Sequence, residues 1–227
     1  MPDVSVVEAT DLSRVHRDGR RELRSLDHVS LAVAAGEVVA VMGSSGSGKT
    51  TLLHLLGGID QPSSGHVKVM GTDWQALRGN ERARFRSHHC GFVVQGFALL
   101  PQATAFENIE TPMVLTGVKR QRRKERVDAL LARVDLSMHS AKLPEQLSGG
   151  QQQRVAIARA LANQPNVVLA DEPTGSLDSA TAAGVVEMLL EVAREQMAAV
   201  VLVTHDPAVA DRADRVIHLR SGRTEKE

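Results

Sequence analysis

The segment with the clearest chemistry is residues 43–50, Gly-Ser-Ser-Gly-Ser-Gly-Lys-Thr, which matches the pattern G-x-x-x-x-G-K-[ST]. It follows an apolar run at 37–42, typical of a buried strand, and precedes a helical run at 50–56. Glycines allow a turn tight enough to aim successive N–H groups at phosphate oxygens, and the helix N-terminus adds partial positive charge. Lys49 would reach the β- and γ-phosphates of a nucleotide, and the Thr50 hydroxyl would ligate Mg²⁺. The predicted contacts are Gly43, Ser44, Ser45, Gly46, Ser47, Gly48, Lys49, Thr50 and Thr51.

A pair of carboxylates follows a second buried run at 167–170. Asp171 at the end of such a strand suits Mg²⁺ ligation through water, and Glu172 can act as the general base for an attacking water. Alone, the pair could equally be the acidic start of a loop before Pro173. Beside a phosphate-binding loop, the catalytic interpretation is favoured.

A second anion site is predicted at residues 148–151, where Ser148, Gly149, Gly150 and Gln151 precede a helix expected at 152–162. An ordinary Ser-Gly-Gly helix cap would explain this segment equally well in isolation. One chain, however, already has a complete phosphate cradle at 43–50. The segment therefore suggests a cap for the γ-phosphate bound by another copy of the chain.

Taken in order, these segments resemble the ATP-binding cassette (ABC) ATPases over nearly all of the 227 residues, and Leu-Ser-Gly-Gly-Gln at 147–151 is that family's signature. The resemblance implies that Gln95 contacts Mg²⁺ and the attacking water and couples the site to a permease. It also implies that Ser-Leu-Asp at 176–178 is the D-loop and that His205, in Val-Thr-His-Asp, is the switch histidine near the γ-phosphate. Neither Gln95 nor His205 would indicate a role by itself.

The sequence departs from the family pattern where adenine is usually stacked on an aromatic residue, commonly tyrosine. His16 occupies that place, and an imidazole offers less face area than a phenol for stacking. His16 is therefore either the adenine contact or an exposed histidine without a role.

The resemblance extends to one branch of the family, the lipoprotein-release, macrolide-export and cell-division ATPases, through residues 92–101, 104–108, 172–178 and 210–217. It implies that Mg-ATP is hydrolysed to ADP and phosphate in a head-to-tail homodimer that drives a separate integral-membrane permease. The expected location is the cytoplasm, at the inner face of the membrane through that permease. The alternatives are an importer ATPase for small solutes or a soluble ABC ATPase acting on DNA or in translation.

Several elements must position these residues. Strand patterns at 4–9, 29–33, 66–70, 91–94 and 199–203 add to the two runs above, and a helix at about 181–194 supplies a crossover between parallel strands. With the resemblance, we predict an α/β fold: a P-loop NTPase core with a mostly parallel sheet, an N-terminal antiparallel β subdomain and an inserted α-helical subdomain. The whole chain, 1–227, is expected to be a single domain with its core at 1–96 and 154–227 and its helical subdomain at about 97–153.

Composition excludes several other functions. Lysine and arginine number 27 against 27 aspartate and glutamate, and only 2% of residues are aromatic, so no nucleic-acid partner is expected. The longest apolar run, 197–203, is far shorter than the roughly 20 residues of a membrane span, and no secretory signal is apparent. The basic run at 119–126 is expected to begin an amphipathic helix. The adjacent His88, His89 and Cys90 are expected to be structural, because adjacent residues rarely converge on one metal ion.

Overall fold

The computed structural model describes residues 5–18, 21–175, 177 and 179–225. Ser176 and Asp178 of the predicted D-loop lie outside the described residues. The strands are β1 (Ser5–Asp18), β2 (Arg21–Ala34), β3 (Val38–Met42), β4 (Ser64–Val69), β5 (Thr72–Asp73), β6 (Cys90–Val93), β7 (Val167–Asp171), β8 (Ala199–Thr204), β9 (Arg215–Arg220) and β10 (Arg223–Thr224). The helices are α1 (Lys49–Leu56), α2 (Asn80–His89), α3 (Ala105–Leu115), α4 (Arg120–Arg133), α5 (Gly149–Ala160), α6 (Ser179–Glu195) and α7 (Pro207–Ala210).

The central sheet has six strands in the order β10-β9-β3-β8-β7-β6, all parallel except for the β9–β10 pair. Strands β3, β7 and β8 are buried along nearly their whole length, which explains their unbroken apolar sequences. In the ladder, Met42 lies opposite Thr204, and Asp171 lies opposite Val203. The carboxyl ends of these three strands therefore meet at one edge of the sheet.

Side chains of the central strands alternate between two hydrophobic cores, as the period of two in a strand requires. Val168, Val200 and Leu202 face a core shared with α3, α4, α5 and α6. Their neighbours Leu169 and Val201 face a core shared with α1 and the N-terminal sheet. The sheet is thus the middle layer of three.

The N-terminal sheet has four antiparallel strands in the order β2-β1-β4-β5. β1 and β2 are each 14 residues long, much longer than the apolar runs at 4–9 and 29–33 predict. Beyond the buried Leu12 and Leu26, the additional length is a polar hairpin arm held by cross-strand pairing, and β1 and β2 pair with several register shifts. Sequence periodicity does not detect such an arm, because the signal it depends on is burial.

Most of the helices follow the predictions. The basic run opens α4, which buries Val127, Leu130 and Leu131 as predicted. Helix α5 begins at Gly149 instead of 152. Helix α2 was not predicted, and it has no buried residue and therefore no apolar periodicity to detect. Among the described residues, no helix combines the length and apolar character needed to cross a membrane.

Candidate active site

A cavity of about 710 Å³ opens at the edge where β3, β7 and β8 end. Most of the predicted site residues line it, although they come from five separated parts of the sequence. Those residues are His16, Ser45, Gly46, Gly48, Lys49, Thr50, Thr51, Gln95, Asp171, Glu172 and His205. Two further residues of the lining, Leu23 and Ser25, are ones that the sequence analysis missed.

The loop between β3 and α1 is folded as an anion cradle. Gly46 and Gly48 have φ angles of 78° and 105°, which side chains with a Cβ rarely adopt. Helix α1 begins at Lys49 without a side-chain cap, so that the amides of its first turn remain free for an anion. Lys49 is only 8% exposed, and its Nζ donates hydrogen bonds to the carbonyls of Gly43 (2.7 Å) and Ser44 (3.0 Å). The lysine is thereby held at the mouth of the cradle.

The back of this loop is fixed to the C-terminal hairpin. The amide of Gly222, between β9 and β10, donates to the Ser47 carbonyl at 3.0 Å, and the Asp27 amide donates to the Gly222 carbonyl at 2.8 Å. The Asp27 carboxylate accepts from Arg24 and Arg223, and these hydrogen bonds hold its pKa below the usual value. Strand β2 is thus fastened beside the phosphate-binding loop.

Glu172 and His205 form a direct contact at the cavity edge. His205 Nδ1 lies 2.9 Å from each carboxylate oxygen of Glu172. Glu172 has a φ of 46°, in the left-handed region, and its amide donates to the Val203 carbonyl of β8 at 2.9 Å. Backbone strain of this kind is typical of functional sites, where surrounding structure maintains it. The carboxylate is therefore oriented from both its backbone and its side chain.

Gln95 lines the same cavity as the phosphate-binding loop and lies beside the turn that follows Glu172. A Cβ placed on Gly175 would lie 3.5 Å from both Gln95 Nε2 and Glu172 Cβ, so the amide and the acidic residue are near neighbours. Together, Thr50, Gln95 and Asp171 supply oxygen ligands of the kind that Mg²⁺ prefers. The donor set fits the predicted metal.

The opposite end of the cavity is formed by the β1–β2 arm. His16 is exposed and pairs across the arm with Leu23, which is 69% exposed. An imidazole and an aliphatic side chain side by side provide a flat, partly apolar surface suited to a nucleobase. Leu23 could not be identified from sequence, because its position depends on the register of a hairpin that shows no apolar alternation.

The predicted second anion site lies outside this cavity. Ser148 caps α5, with its Oγ accepting from the Gln151 amide (3.3 Å) and the Gln151 side chain accepting from the Ser148 amide (3.0 Å). Gly149 and Gly150 lie in the first turn of α5, where backbone amides have no carbonyl within the helix to donate to. The local geometry is a capping box, and Ser148 is exposed to solvent.

The three adjacent residues that resemble a metal site have separate surroundings. His88 Nδ1 lies 2.7 Å from the Arg84 carbonyl, and His89 Nδ1 lies 2.7 Å from Asn166 Oδ1. Cys90 is buried, which raises the pKa of its thiol to about 12. Within the part of the chain that the structure describes, no group of three or more histidine, cysteine and carboxylate residues could hold a metal ion.

Comparison with known proteins places this site in a family. Residues 26–175 match the ABC transporter family. The chain is 45% identical over 217 residues to the lipoprotein-releasing system ATP-binding protein LolD of Legionella pneumophila (strain Paris), covering 96% of each. It is 46% identical over 226 residues to the macrolide export ATP-binding/permease protein MacB of Syntrophobacter fumaroxidans, covering 99% of this chain but only 32% of that protein.

A solved structure agrees with both. The ATP-binding cassette MJ0796, in a dimeric post-hydrolysis state bound to ADP and Pi, superposes with a TM-score of 0.89 at 38% identity and 97% coverage of each chain. The predicted α/β architecture is confirmed. The chain belongs to the ABC transporter family and is an ATP-binding cassette with ATPase activity.

Proposed function

We propose that this cassette binds Mg-ATP in the cavity at the ends of β3, β7 and β8 and that its hydrolysis cycle drives a separate membrane permease from the cytoplasmic face. The observation that carries the proposal is the convergence of the phosphate-binding loop with Asp171, Glu172, Gln95 and His205 on one cavity. The relatives are a lipoprotein-releasing ATPase and a macrolide export protein, which favours an export or mechanotransmission role. We further propose that the core comprises 1–96 and 154–227 and the helical subdomain about 97–153.

The geometry suggests how the side chains divide the work. The free amides of α1 and the Lys49 ammonium would bind the β- and γ-phosphates, and His16 with Leu23 would contact the base. Glu172 would take the proton of the attacking water, while His205, 2.9 Å away, keeps the carboxylate aimed into the cavity. Thr50, Gln95 and Asp171 would hold Mg²⁺, which neutralises phosphate charge when bound.

We propose that the partly exposed segment Ser148–Gln151 completes the site of a second copy in a head-to-tail dimer. Its location outside the chain's own nucleotide cavity supports this arrangement, because a two-fold axis can then pair each signature with the other copy's cradle. Two ATP molecules would lie in the interface, so ATP binding favours the dimer by mass action. Hydrolysis would separate the γ-phosphate from ADP and weaken that bridge.

The test uses a variant that binds ATP without hydrolysing it. Glu172→Gln removes the base but keeps the shape, and we expect an ATP-dependent dimer by sedimentation, with wild type mostly monomeric in ADP. Adding Ser148→Arg should abolish that dimer while ATP binding in calorimetry persists. A double variant that still dimerises with ATP would show that the signature is not the contact between copies.

We further propose that the permease docks a cytoplasmic helix into a groove between α2 and α3, where the helical subdomain meets the core. Two cavities, of about 710 and 270 Å³, share Ser87, Cys90, Phe92 and Leu115 along this groove. Arg84, Arg86 and His88 also line the larger cavity, and no carboxylate from the described part of the chain does. An amphipathic helix with acidic residues therefore fits the groove.

Substitutions in the groove test this surface. Leu115, which is 77% exposed and lines both cavities, is the position to substitute, because Leu99 is half-buried against the core. We expect Leu115→Asp to lose co-purification with a permease encoded beside this chain and to keep ATP binding. Met138→Asp, 91% exposed in the same helical region, is the control that should keep both. Retention of the complex by Leu115→Asp would place the docking surface elsewhere.

A further inference from the structure

The segment that follows Gln95 has three successive residues in the left-handed region. Gly96, Phe97 and Ala98 have φ angles of 78°, 64° and 47°, and the Ala98 amide donates to the Gly96 carbonyl at 2.7 Å. Glycine adopts this conformation freely, but residues with a Cβ do so only at a cost in free energy. Phe97 and Ala98 therefore need an external interaction to stay in this turn, which we call the left-handed turn 96–98.

Arg159 supplies that interaction from α5, more than 60 positions along the chain. Its Nη2 donates to the Phe97 carbonyl at 2.9 Å, and its Nη1 donates to the Ala98 carbonyl at 2.5 Å. A planar guanidinium can bridge two adjacent carbonyls in this way, whereas a lysine ammonium is a single point charge. Burial among these elements lowers the pKa of Arg159 from its ordinary value, although arginine keeps its charge.

The helix that contains Arg159 is held in place by its N-terminal cap and its buried face. Helix α5 begins with the Ser148–Gln151 capping box, and its residues Val155, Ile157 and Ala158 are fully buried. Arg159 also lines the smaller of the two groove cavities, beside Pro112 and Leu115. One side chain thus contacts the proposed docking groove and the turn that follows Gln95.

We propose that Arg159 is a positioning residue for ATP hydrolysis: it holds the left-handed turn 96–98 and so keeps Gln95 beside the turn that carries Glu172. This inference rests on the proposed role of Gln95 in the site. Without the two hydrogen bonds from Arg159, Phe97 and Ala98 would relax to right-handed conformations, and the preceding Gln95 would leave its place. ATP binding would change little, because the phosphate-binding loop lies on other elements.

The experiment measures steady-state ATP hydrolysis by the full chain. We expect Arg159→Ala to lower kcat about tenfold with little change in KM. The free-energy cost of holding one non-glycine residue in the left-handed region corresponds to about a tenfold change in rate. Adding Ala98→Gly should raise the kcat of Arg159→Ala about threefold or more, because glycine occupies the left-handed region without penalty. The control is Arg126→Ala, which also removes two arginine hydrogen bonds to carbonyls, those of Leu161 and Ala162, but contacts no part of the turn. It should lower the melting temperature and leave kcat unchanged.

The outcomes separate this inference from the proposed function. If Gln95→Ala lowers kcat but Arg159→Ala does not, the inference fails and the proposed role of Gln95 stands. If Gln95→Ala leaves kcat unchanged, both fail. If Arg159→Ala lowers kcat and Ala98→Gly restores none of it, Arg159 acts by some other route and the proposal is wrong. Should Arg159→Ala not fold, Arg159→Lys with and without Ala98→Gly provides the same comparison.

Discussion

Replacing Gly48 with alanine tests how the phosphate-binding loop is held. Gly48 has a φ of 105°, and a Cβ there would lie 2.3 Å from the Ser25 carbonyl oxygen and 3.0 Å from Leu26 Cδ2. Strand β2 cannot easily retreat, because the Asp27 amide and carboxylate tie it to Gly222 and Arg223. The backbone conformation alone costs about 1–3 kcal/mol, and the overpacking costs about 1–3 kcal/mol more. Alanine also lowers the conformational entropy of the unfolded chain, which offsets this loss of stability by at most about 1 kcal/mol.

For a chain of this length, each 1 kcal/mol corresponds to about 2–4 °C in melting temperature, so we expect Gly48→Ala to lower it by about 5–15 °C. The measurement is thermal unfolding without nucleotide, followed by ATP titration, where affinity should also fall because Ser25 lines the cavity. Gly71→Ala is the matched control: its φ is 73°, but apart from its chain neighbours no atom of the described residues lies within 4 Å of the new Cβ. It should cost only about 1 kcal/mol from backbone strain. Equal melting temperatures for the two variants would refute the claim that the loop is pressed against β2.

Three further predictions concern single side chains. Lys49→Ala should weaken ATP binding by about 100-fold or more in calorimetry, since it removes the charge facing the phosphates, and an unchanged affinity would disprove the cradle assignment. His16→Tyr should tighten ATP binding and His16→Ala should weaken discrimination between ATP and GTP, whereas identical preferences in all three proteins would remove His16 from the site. Cys90, with its pKa raised to about 12, should react with iodoacetamide at pH 8 about 1,000-fold more slowly than an ordinary thiol, and rapid labelling of the folded protein would contradict its burial. Because the unfolded thiol ionises near 9 while the folded one stays neutral, this residue should reduce the free energy of unfolding as pH rises above about 9.

The sequence by itself predicted the residues of the phosphate-binding loop and the strand-end acids as one site, and most of them line one cavity in the structure. Glycine spacing, a lysine and a hydroxyl after a buried strand leave few alternatives, because the backbone turn and the ligand contacts both depend on those residue types. The central strands were equally predictable, since strands buried on both faces show unbroken apolar runs. The roles predicted for His205 and Gln95 came only from the resemblance to the ABC ATPases.

Only the tertiary structure decided which distant residues meet. Parallel pairing sets Thr204 opposite Met42 and Asp171 opposite Val203. Hairpin register sets Leu23 beside His16, and local periodicity predicts none of these pairings. Local periodicity also could not predict helix α2, which has no buried residue. Nor could it predict the two hydrogen bonds from Arg159 to the left-handed turn 96–98, which lies more than 60 positions away in the chain. Sequence patterns report burial and local backbone preference, whereas contacts between residues far apart in the chain depend on how whole elements pack.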